Sequence, residues 1–341
     1  MDNIDRITYL IKLTPQEPWF FGGDRIFSHP DAVRKTPAKY FIRSQDAPSQ
    51  TTLFGALRYL LHSTKDWKPD ADVGLASYDL TSKSKQEFGL IKGISPLYLM
   101  GEQGSFYIPA PLDHKGGNGA YQPYKDYKSF ETNHGRRCYP VGYDGKHPFD
   151  GGWLRLGRDT VTVHTDLFKD VEQVGVNMAA SQDGFFKREC KRFSRDGFCF
   201  AFFADFEKDY AGFEPQLVFL GQGRRAFLAT CSKQSPPDAG PAFPHNIAYA
   251  QSPIYVEKPE ELYKHCEFVC EKPVSFRKFA TNYQSNRRFQ LESELLQLIA
   301  PGSVFCVHND DLEQFKSMIH NPQARIVGFN RVLLNGKELS L

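Results

Sequence analysis

The feature that most constrains the fold is an alternating strand followed by a capped amphipathic helix near the start of the chain. Four apolar residues of RITYLIKL (6–13) share one face of an extended segment: Ile7, Tyr9, Ile11 and Leu13. Four leucines of SQTTLFGALRYLL (49–61) share one stripe of a helix with Ser49 as its N-cap: Leu53, Leu57, Leu60 and Leu61. A strand followed by a helix is how a ferredoxin-like βαββαβ unit begins.

Composition bounds the class of protein. The 341 residues are enough for two domains, and 40% apolar with 24% charged residues is typical of a soluble globular chain. No apolar run is long enough for a membrane helix, and the acidic start MDNIDRITYL is not a signal peptide, so we expect a cytoplasmic protein without membrane contact. Seven scattered cysteines indicate reduced thiols. A net charge of only +2 means that any nucleic acid must be held by local basic patches.

Other segments predict the remaining organisation. Gly22-Gly23 permits a tight reversal of the backbone, and 217–231 has the pattern of a strand, a glycine turn and a strand. The segments 171–178 and 185–205 predict the two arms of a hairpin around Asp183-Gly184. We expect an irregular loop over 113–152, a linker over 235–244, and a helical run in 291–307 that Pro301-Gly302 closes. Strands and helices therefore recur in the second half.

Gly221-Gln222-Gly223-Arg224-Arg225 is the sharpest local motif. Its two glycines allow main-chain amides to approach phosphates closely, and an arginine that follows can bind a phosphate with two hydrogen bonds. The spacing is not that of a P-loop. A tight turn with two exposed arginines is the alternative interpretation, and spacing alone favours it.

A second basic segment lies in the predicted hairpin. Five cations fall within nine residues that contain one acid, Glu189: Lys187, Arg188, Lys191, Arg192 and Arg195. Three phenylalanines interleave with them: Phe185, Phe186 and Phe193. Cations beside aromatic rings are typical of a grip on single-stranded RNA. A solvated arm with its phenylalanines in the core explains the pattern equally well.

Two further segments carry candidate anion sites. Ser49, Gln50 and Thr51 begin the helix, whose first amides lack partners, and Arg58 lies off its leucine stripe. Ordinary capping with a surface arginine is the simpler explanation. The loop Gly22-Gly23-Asp24-Arg25 offers open backbone and a cation, or only a hairpin turn with an Asp–Arg pair. The tyrosine-rich loop around Tyr121, Tyr124 and Tyr127 has a composition that suits RNA or partner docking, and disorder equally.

The order of these motifs resembles one known family. Further landmarks extend the order: GISPLYL…FYIPAPLD (93–113), APGSVFCV (300–307) and VGFNRVLL (327–334). Nearly the whole chain is similar to the CRISPR-associated RAMP proteins of type III-B (Cmr) complexes, in the family of the third-numbered subunit, which caps the 5′ end of the guide RNA. Two departures are Gly328-Phe329-Asn330, where the family has glycine-any-glycine, and Gln222 within the glycine turn. Asparagine tolerates left-handed backbone angles well, so the first departure is mild.

The resemblance implies an α+β protein with two ferredoxin-like (RRM-like) RAMP domains, over 1–234 and 245–341, and a β-hairpin thumb over about 171–205. It implies no catalytic role and no cofactor. The implied partners are the 5′ tag of the crRNA, target RNA indirectly through the guide, the large polymerase-like (Cas10-type) subunit and a backbone RAMP subunit. It adds Gly328, Asn330 and Arg331 to the residues expected to contact RNA.

An enzyme is the alternative, namely a metal-independent RAMP endoribonuclease that processes precursor crRNA with histidine as acid or base. Among ten histidines, only His29 and His134 lie in suggestive segments, and neither has an evident partner. Cys266, Phe268 and Cys270 alternate as one buried strand face, which argues against a zinc site with His265. A scaffold that contacts only proteins is the third possibility.

Overall fold

The computed structural model describes residues 7–27, 40–63, 73, 80–81, 88–133, 135–144, 146, 149, 151–176, 185–209, 212–237, 243, 246–283, 289–334 and 336–339. The architecture is α+β and mostly antiparallel, which confirms the expected class. The first fourteen strands are β1 (Ile7–Pro15), β2 (Phe21–Phe27), β3 (Tyr40–Gln45), β4 (Ile91–Ile94), β5 (Tyr98–Met100), β6 (Phe106–Pro109), β7 (Gly119–Ala120), β8 (Tyr127–Thr132), β9 (Gly135–Pro140), β10 (Gly152–Arg155), β11 (Thr160–Val163), β12 (Phe168–Val176), β13 (Phe185–Phe193) and β14 (Cys199–Phe206).

The remaining strands are β15 (Gln216–Leu220), β16 (Arg225–Lys233), β17 (Ile247–Ala250), β18 (Cys266–Cys270), β19 (Pro273–Tyr283), β20 (Phe289–Ile299), β21 (Val304–Val307), β22 (Val332–Leu334) and β23 (Lys337–Glu338). The helices of the described ranges are α1 (Gln50–His62), α2 (His164–Leu167), α3 (Pro259–Lys264), α4 (Leu312–Ile319) and α5 (Pro322–Ile326), and two 3₁₀ turns span Glu102–Gly104 and Asn309–Asp311.

The first large sheet grows from the predicted opening strand. Its order is β15-β16-β1-β14-β5-β6-β10-β11-β7, and β4 also pairs with β14. Tyr9, Ile11 and Leu13 are buried on one face of β1, as the alternation predicts. The leucine stripe of α1 is completely buried in the same core cluster. The predicted strand, helix and Ser49 N-cap are therefore all confirmed.

The strand order of both halves follows the ferredoxin-like pattern. In the second half, β17, β18, β21 and β22 form an antiparallel sheet in which the first and third strands are central. Helix α3 follows the first strand, and α4 and α5 precede the fourth. In the first half, β1, β4 with β5, β14 and β16 have the same order. The described residues between β14 and β16 hold strand β15 in place of the second helix.

A four-stranded sheet, β12-β13-β3-β2, carries the predicted thumb hairpin. Strands β12 and β13 pair antiparallel from Phe168↔Phe193 to Val176↔Phe185. The predicted second arm, 185–205, is too long, because β14 leaves the hairpin and lies buried in the centre of the first sheet. The expected reversal at Gly22-Gly23 is also wrong. Both glycines lie inside β2, where the register with β3 shifts between Gly22 and Arg25.

The helix expected in 291–307 is absent, and β20 takes its place. Eleven residues of β19 pair with eleven of β20, from Pro273↔Ile299 to Tyr283↔Phe289. Leu298 and Ile299 are buried, Leu296 is half-buried and Leu295 is exposed, so burial increases toward the base of this hairpin. Pairing across the hairpin overrides the helical propensity of the Leu-Glu-rich segment.

Short strands occupy part of the expected loop over 113–152, including the hairpin of β8 with β9. In the expected linker, residues 238–242 and 244 lie outside the described residues, whereas Phe243 is buried against Tyr249. All seven cysteines are free thiols, and Cys266, Phe268 and Cys270 form the predicted buried strand face. None of the helices in the described ranges has the length and apolarity to cross a bilayer. The division into domains at 234 and 245 remains a prediction.

Candidate nucleic-acid interface

The glycine turn packs directly on the main chain that follows β1. Gly221, Gly223 and Arg224 have φ angles of 69°, 86° and 51°. A Cβ atom at Gly221 would lie 2.3 Å from the carbonyl oxygen of Phe20. The same oxygen accepts a hydrogen bond of 3.0 Å from the Gln222 amide. A Cβ at Gly223 would meet nothing nearer than 3.5 Å. Gly221 is therefore required by close packing, and Gly223 by its backbone angle.

The two arginines of the turn have different roles. The side chain of Arg225 is only 16% exposed, and its Nη1 donates to Glu17 Oε2 at 2.9 Å while Nη2 donates to Gln173. The Ala226 amide and Arg225 hold the pKa of Glu17 below its usual value. Arg224 is exposed, with its guanidinium 5.5 Å from the centre of the Phe219 ring. Arg224 can thus meet a ligand, whereas Arg225 joins the turn to the thumb.

The base of the thumb lies beside this turn. Arg188 stacks over the Phe20 ring at 5.7 Å, and its Nη1 would lie 3.6 Å from a Cβ at Gly223. Trp19 and Lys191 exchange two main-chain hydrogen bonds of 2.8 and 2.9 Å, which fix the hairpin to the core. Arg192 is exposed, and the side chain of Lys187 lies outside the described residues.

Lys191 forms ion pairs with Asp170 at 2.6 Å and Asp46 at 3.2 Å. Burial acts to lower the pKa of Lys191, but hydrogen bonds with Asp170 and the charge of Asp46 outweigh it and raise the pKa. Lys191 is therefore a charged, already paired residue at the base of the thumb.

The start of α1 presents hydroxyls and amides. Ser49 Oγ accepts a hydrogen bond of 3.3 Å from the Thr52 amide and lies 3.1 Å from the Thr51 hydroxyl. Gln50 points inward instead, where Nε2 donates to the Gly328 carbonyl at 2.8 Å. Arg58 is half-buried over the Phe54 and Phe88 rings, and burial lowers its pKa. Ser49 and Thr51 remain the candidates for ligand contact on this helix.

The C-terminal candidates make hydrogen bonds and close contacts within the fold, and their contact with RNA remains a prediction. Asn330 is completely buried with φ of 53°, as its tolerance of left-handed angles allows. Its Nδ2 donates to the carbonyls of Tyr255 and Ile319 at 2.9 Å each, and its Oδ1 accepts from the Tyr255 amide at 2.8 Å. Arg331 donates to the Ile94 carbonyl at 3.3 Å and pairs with Glu338. Gly328 leaves room for Gln50, because a Cβ would lie 2.1 Å from Gln50 Nε2.

A groove of about 810 Å³ brings five of the predicted residues together: Gly22, Ser49, Gln50, Thr51 and Gly221. Its other wall comes from the second half of the chain and includes Lys272, Ser275 and Pro301. A neighbouring cavity of about 310 Å³ shares Thr52 and Gly221 with the groove and adds Arg224. Open backbone and hydroxyls therefore line the groove, and Arg224 lines a cavity that shares two residues with it.

Comparison with protein families decides what kind of chain this is. The model of the family described as CRISPR-associated protein (Cas_Cmr3) matches residues 11–254, which is more than half of the chain. The chain belongs to the Cas_Cmr3 family. The matched range begins within β1 and holds α1, the thumb hairpin and the glycine turn.

Solved structures agree with the fold of this Cas_Cmr3 chain. A chain of the cryo-EM structure of the Type III-B Cmr-beta bound to cognate target RNA has a TM-score of 0.51 and 12% identity, with 96% of each chain covered. A chain of the same kind of complex with target RNA and AMPPnP, in state 1, has a TM-score of 0.48, 13% identity and the same coverage. No curated protein sequence matches. At such identities the first structure supports the fold alone.

The sequence pattern did not predict two sets of residues that line the groove: Lys272 with Ser275, and His164. Lys272 directly precedes β19 and Ser275 lies within it, and the pattern did not separate this strand from its neighbours. His164 also lines the groove, with its Nδ1 2.8 Å from Asp46 Oδ2. Burial acts to raise the pKa of Asp46, but contacts with His164 and Lys191 hold it below the usual value. In the described ranges, no group of three His, Cys, Asp or Glu side chains could hold a metal ion.

Proposed function

We propose that this chain is a non-catalytic subunit of a type III-B CRISPR effector complex and binds the 5′ repeat-derived tag of the crRNA in the groove. One observation carries the proposal: Gly22, Gly221 and the hydroxyls that begin α1 line one groove, and Arg224 lines the neighbouring cavity that shares Thr52 and Gly221 with it. Glycines admit an RNA backbone closely, and helix N-termini favour phosphates. The guide RNA would be held by amides, hydroxyls and Arg224.

We further propose that the chain contacts two other subunits of the complex. Membership in the Cas_Cmr3 family supports a role in the complex, and the similar fold belongs to a chain of a complex bound to target RNA. We propose that the chain bridges the large polymerase-like subunit to a backbone RAMP subunit, meets target RNA through the guide, and acts in cytoplasmic antiviral defence.

Arg224→Ala tests the groove. Arg224 is the exposed arginine of the turn, so its loss removes a phosphate contact without breaking the Arg225–Glu17 pair. We expect the affinity for a tag-containing RNA to fall about ten-fold or more, and its salt dependence to weaken by about one charge. Fluorescence anisotropy over a range of salt concentrations measures both.

Arg158→Ala is the matched control, because Arg158 is exposed in the turn between β10 and β11 and lines neither cavity. Equal affinities for parent, Arg158→Ala and Arg224→Ala would place the RNA elsewhere. A double substitution of Arg224 and Arg225 is less informative, since Arg225 also stabilises the fold.

An endoribonuclease is the second candidate, and the His164–Asp46 contact favours it. A carboxylate on Nδ1 orients an imidazole so that Nε2 can accept a proton, here from the 2′-hydroxyl of a ribose that attacks its own phosphate. Gly151 leaves space at that nitrogen, since a Cβ there would lie 2.7 Å from His164 Nε2. The same contact also has a purely structural use, because Asp46 pairs with Lys191 of the thumb.

Incubation of the chain with precursor crRNA in EDTA separates the two candidates. Site-specific cleavage that His164→Ala abolishes, with RNA affinity retained, would establish the enzyme. Intact RNA with both proteins supports the non-catalytic role.

A further inference from the structure

The hairpin of β8 with β9 presents an outer face of unusual composition. In the register of this hairpin, Lys128 lies opposite Tyr139, and Phe130 lies opposite Arg137. Six positions share this face: Lys128, Phe130, Thr132, Gly135, Arg137 and Tyr139. The face therefore holds two aromatic rings, one exposed cation, Lys128, and no acid, while Arg137 is half-buried.

The two rings are adjacent and exposed. Phe130 is 48% and Tyr139 49% exposed, and their ring centres lie 6.0 Å apart. Lys128 is exposed beside them. None of these three residues lines the groove or the neighbouring cavity. This surface is thus separate from the candidate interface.

The opposite side anchors the hairpin, which explains how its outer face is left uncovered. Tyr127 stacks on Phe268 with ring centres 4.7 Å apart, and Cys138 packs against the second core cluster. Arg137 belongs by its register to the outer face, but its Nη1 reaches β18 and donates to the carbonyl of Cys266 at 3.1 Å. A lone two-stranded sheet is marginal in water, so these contacts with β18 hold it in place.

The chemistry of the outer face fits one class of ligand. Aromatic rings accept nucleobases on their faces, and neighbouring cations attract the phosphates between them. An exposed Lys128 beside the two rings, with no acid on the same face, suits a polyanion better than a protein of mixed charge. We propose that this face is a second contact surface for single-stranded RNA, with bases stacked on Phe130 and Tyr139 and Lys128 near a phosphate.

Replacing both rings by leucine tests stacking specifically. Phe130→Leu with Tyr139→Leu keeps an apolar surface but removes the π faces, whereas Phe130→Trp with Tyr139→Trp keeps them. We expect a fluorescein-labelled oligoadenylate to bind the leucine variant about ten-fold to a hundred-fold more weakly than the parent, and the tryptophan variant with parental affinity. Anisotropy on the full chain is measured in the parent and in an Arg224→Ala background, which lowers the contribution of the groove.

Leu295→Ala is the control, because it changes an exposed apolar residue of another hairpin. Crosslinking with an oligonucleotide that contains 4-thiouridine locates the RNA independently of affinity. Adducts within 127–140 support the proposal, even if residues 216–225 carry none and the groove proposal fails. Leucine and parent chains of equal affinity, or adducts confined to other segments, would overturn it. Intact RNA binding with loss of a co-purifying subunit would assign this face to a protein.

Discussion

Substitution of Gly221 gives the sharpest test of how the fold builds the candidate interface. Gly221→Ala places a methyl group 2.3 Å from the Phe20 carbonyl oxygen, whereas ordinary contacts of this kind begin at 3.4 Å. The turn must move away from Phe20, and the hydrogen bond from the Gln222 amide is lost with it. The same movement displaces Arg224 from the neighbouring cavity.

The cost has two parts. A left-handed backbone angle in alanine costs about 1–2 kcal/mol, and the lost hydrogen bond costs about 1 kcal/mol. We therefore expect Gly221→Ala to lower the free energy of unfolding by about 2–3 kcal/mol. Gly223→Ala has a φ of 86° but no atom within 3.5 Å of the new methyl group, so only the cost of the backbone angle applies, about 1–2 kcal/mol.

Urea denaturation of parent, Gly221→Ala and Gly223→Ala measures the difference, and anisotropy with tag RNA follows binding below the unfolding transition. Gly221→Ala should be the less stable of the two variants and the weaker RNA binder. Identical midpoints for the two variants would refute the argument that close approach to Phe20 selects glycine at position 221.

Three further predictions concern the described contacts. Burial raises the pKa of Asp113 to about 6 although the Tyr121 hydroxyl donates to it, so the free energy of unfolding should fall as pH rises through 6. Asp113→Asn should remove this dependence and stabilise the fold at pH 8 by up to about 3 kcal/mol in urea titrations, and an unchanged pH profile would contradict the burial argument. Ser49→Ala should cost about 1 kcal/mol through loss of the cap, while Ser49→Thr retains it; equal thermal midpoints for both would rule out capping. Asn330→Gly keeps the backbone angle but loses three buried hydrogen bonds, which should cost about 2–4 kcal/mol with unchanged RNA affinity of the folded protein; weaker binding by that folded protein would restore Asn330 as a contact residue.

Local sequence patterns predicted the elements that carry the groove. The leucine stripe and Ser49 specify α1, because helical period and capping act within one segment. The strand, turn and strand around Gly221-Gln222-Gly223 form as the glycines indicate. Failures occurred where pairing with another strand decides the conformation. The Leu-Glu-rich run of β20 becomes a strand because β19 pairs with it. Gly22 lies in a strand because β2, which contains it, pairs with β3.

Contacts with other segments also decide which predicted site residues remain accessible. Arg224 and Ser49 are accessible, as a local turn and a helix start imply. Arg225, Gln50 and Asn330 have the same residue chemistry but are held by partners more than 50 positions away in sequence. A motif cannot show whether an arginine is exposed or clamped, because the clamping carboxylate of Glu17 is distant along the chain.

The sequence by itself determined the α+β class, the order of the family's landmarks, the glycine turn and the thumb hairpin, since each depends on residues close together in the chain. Tertiary structure decided which cations reach solvent, that Lys272 faces the start of α1 across one groove, and that His164 meets Asp46. These outcomes depend on burial and on contacts between distant segments, whose energies exceed the local preferences of a few residues.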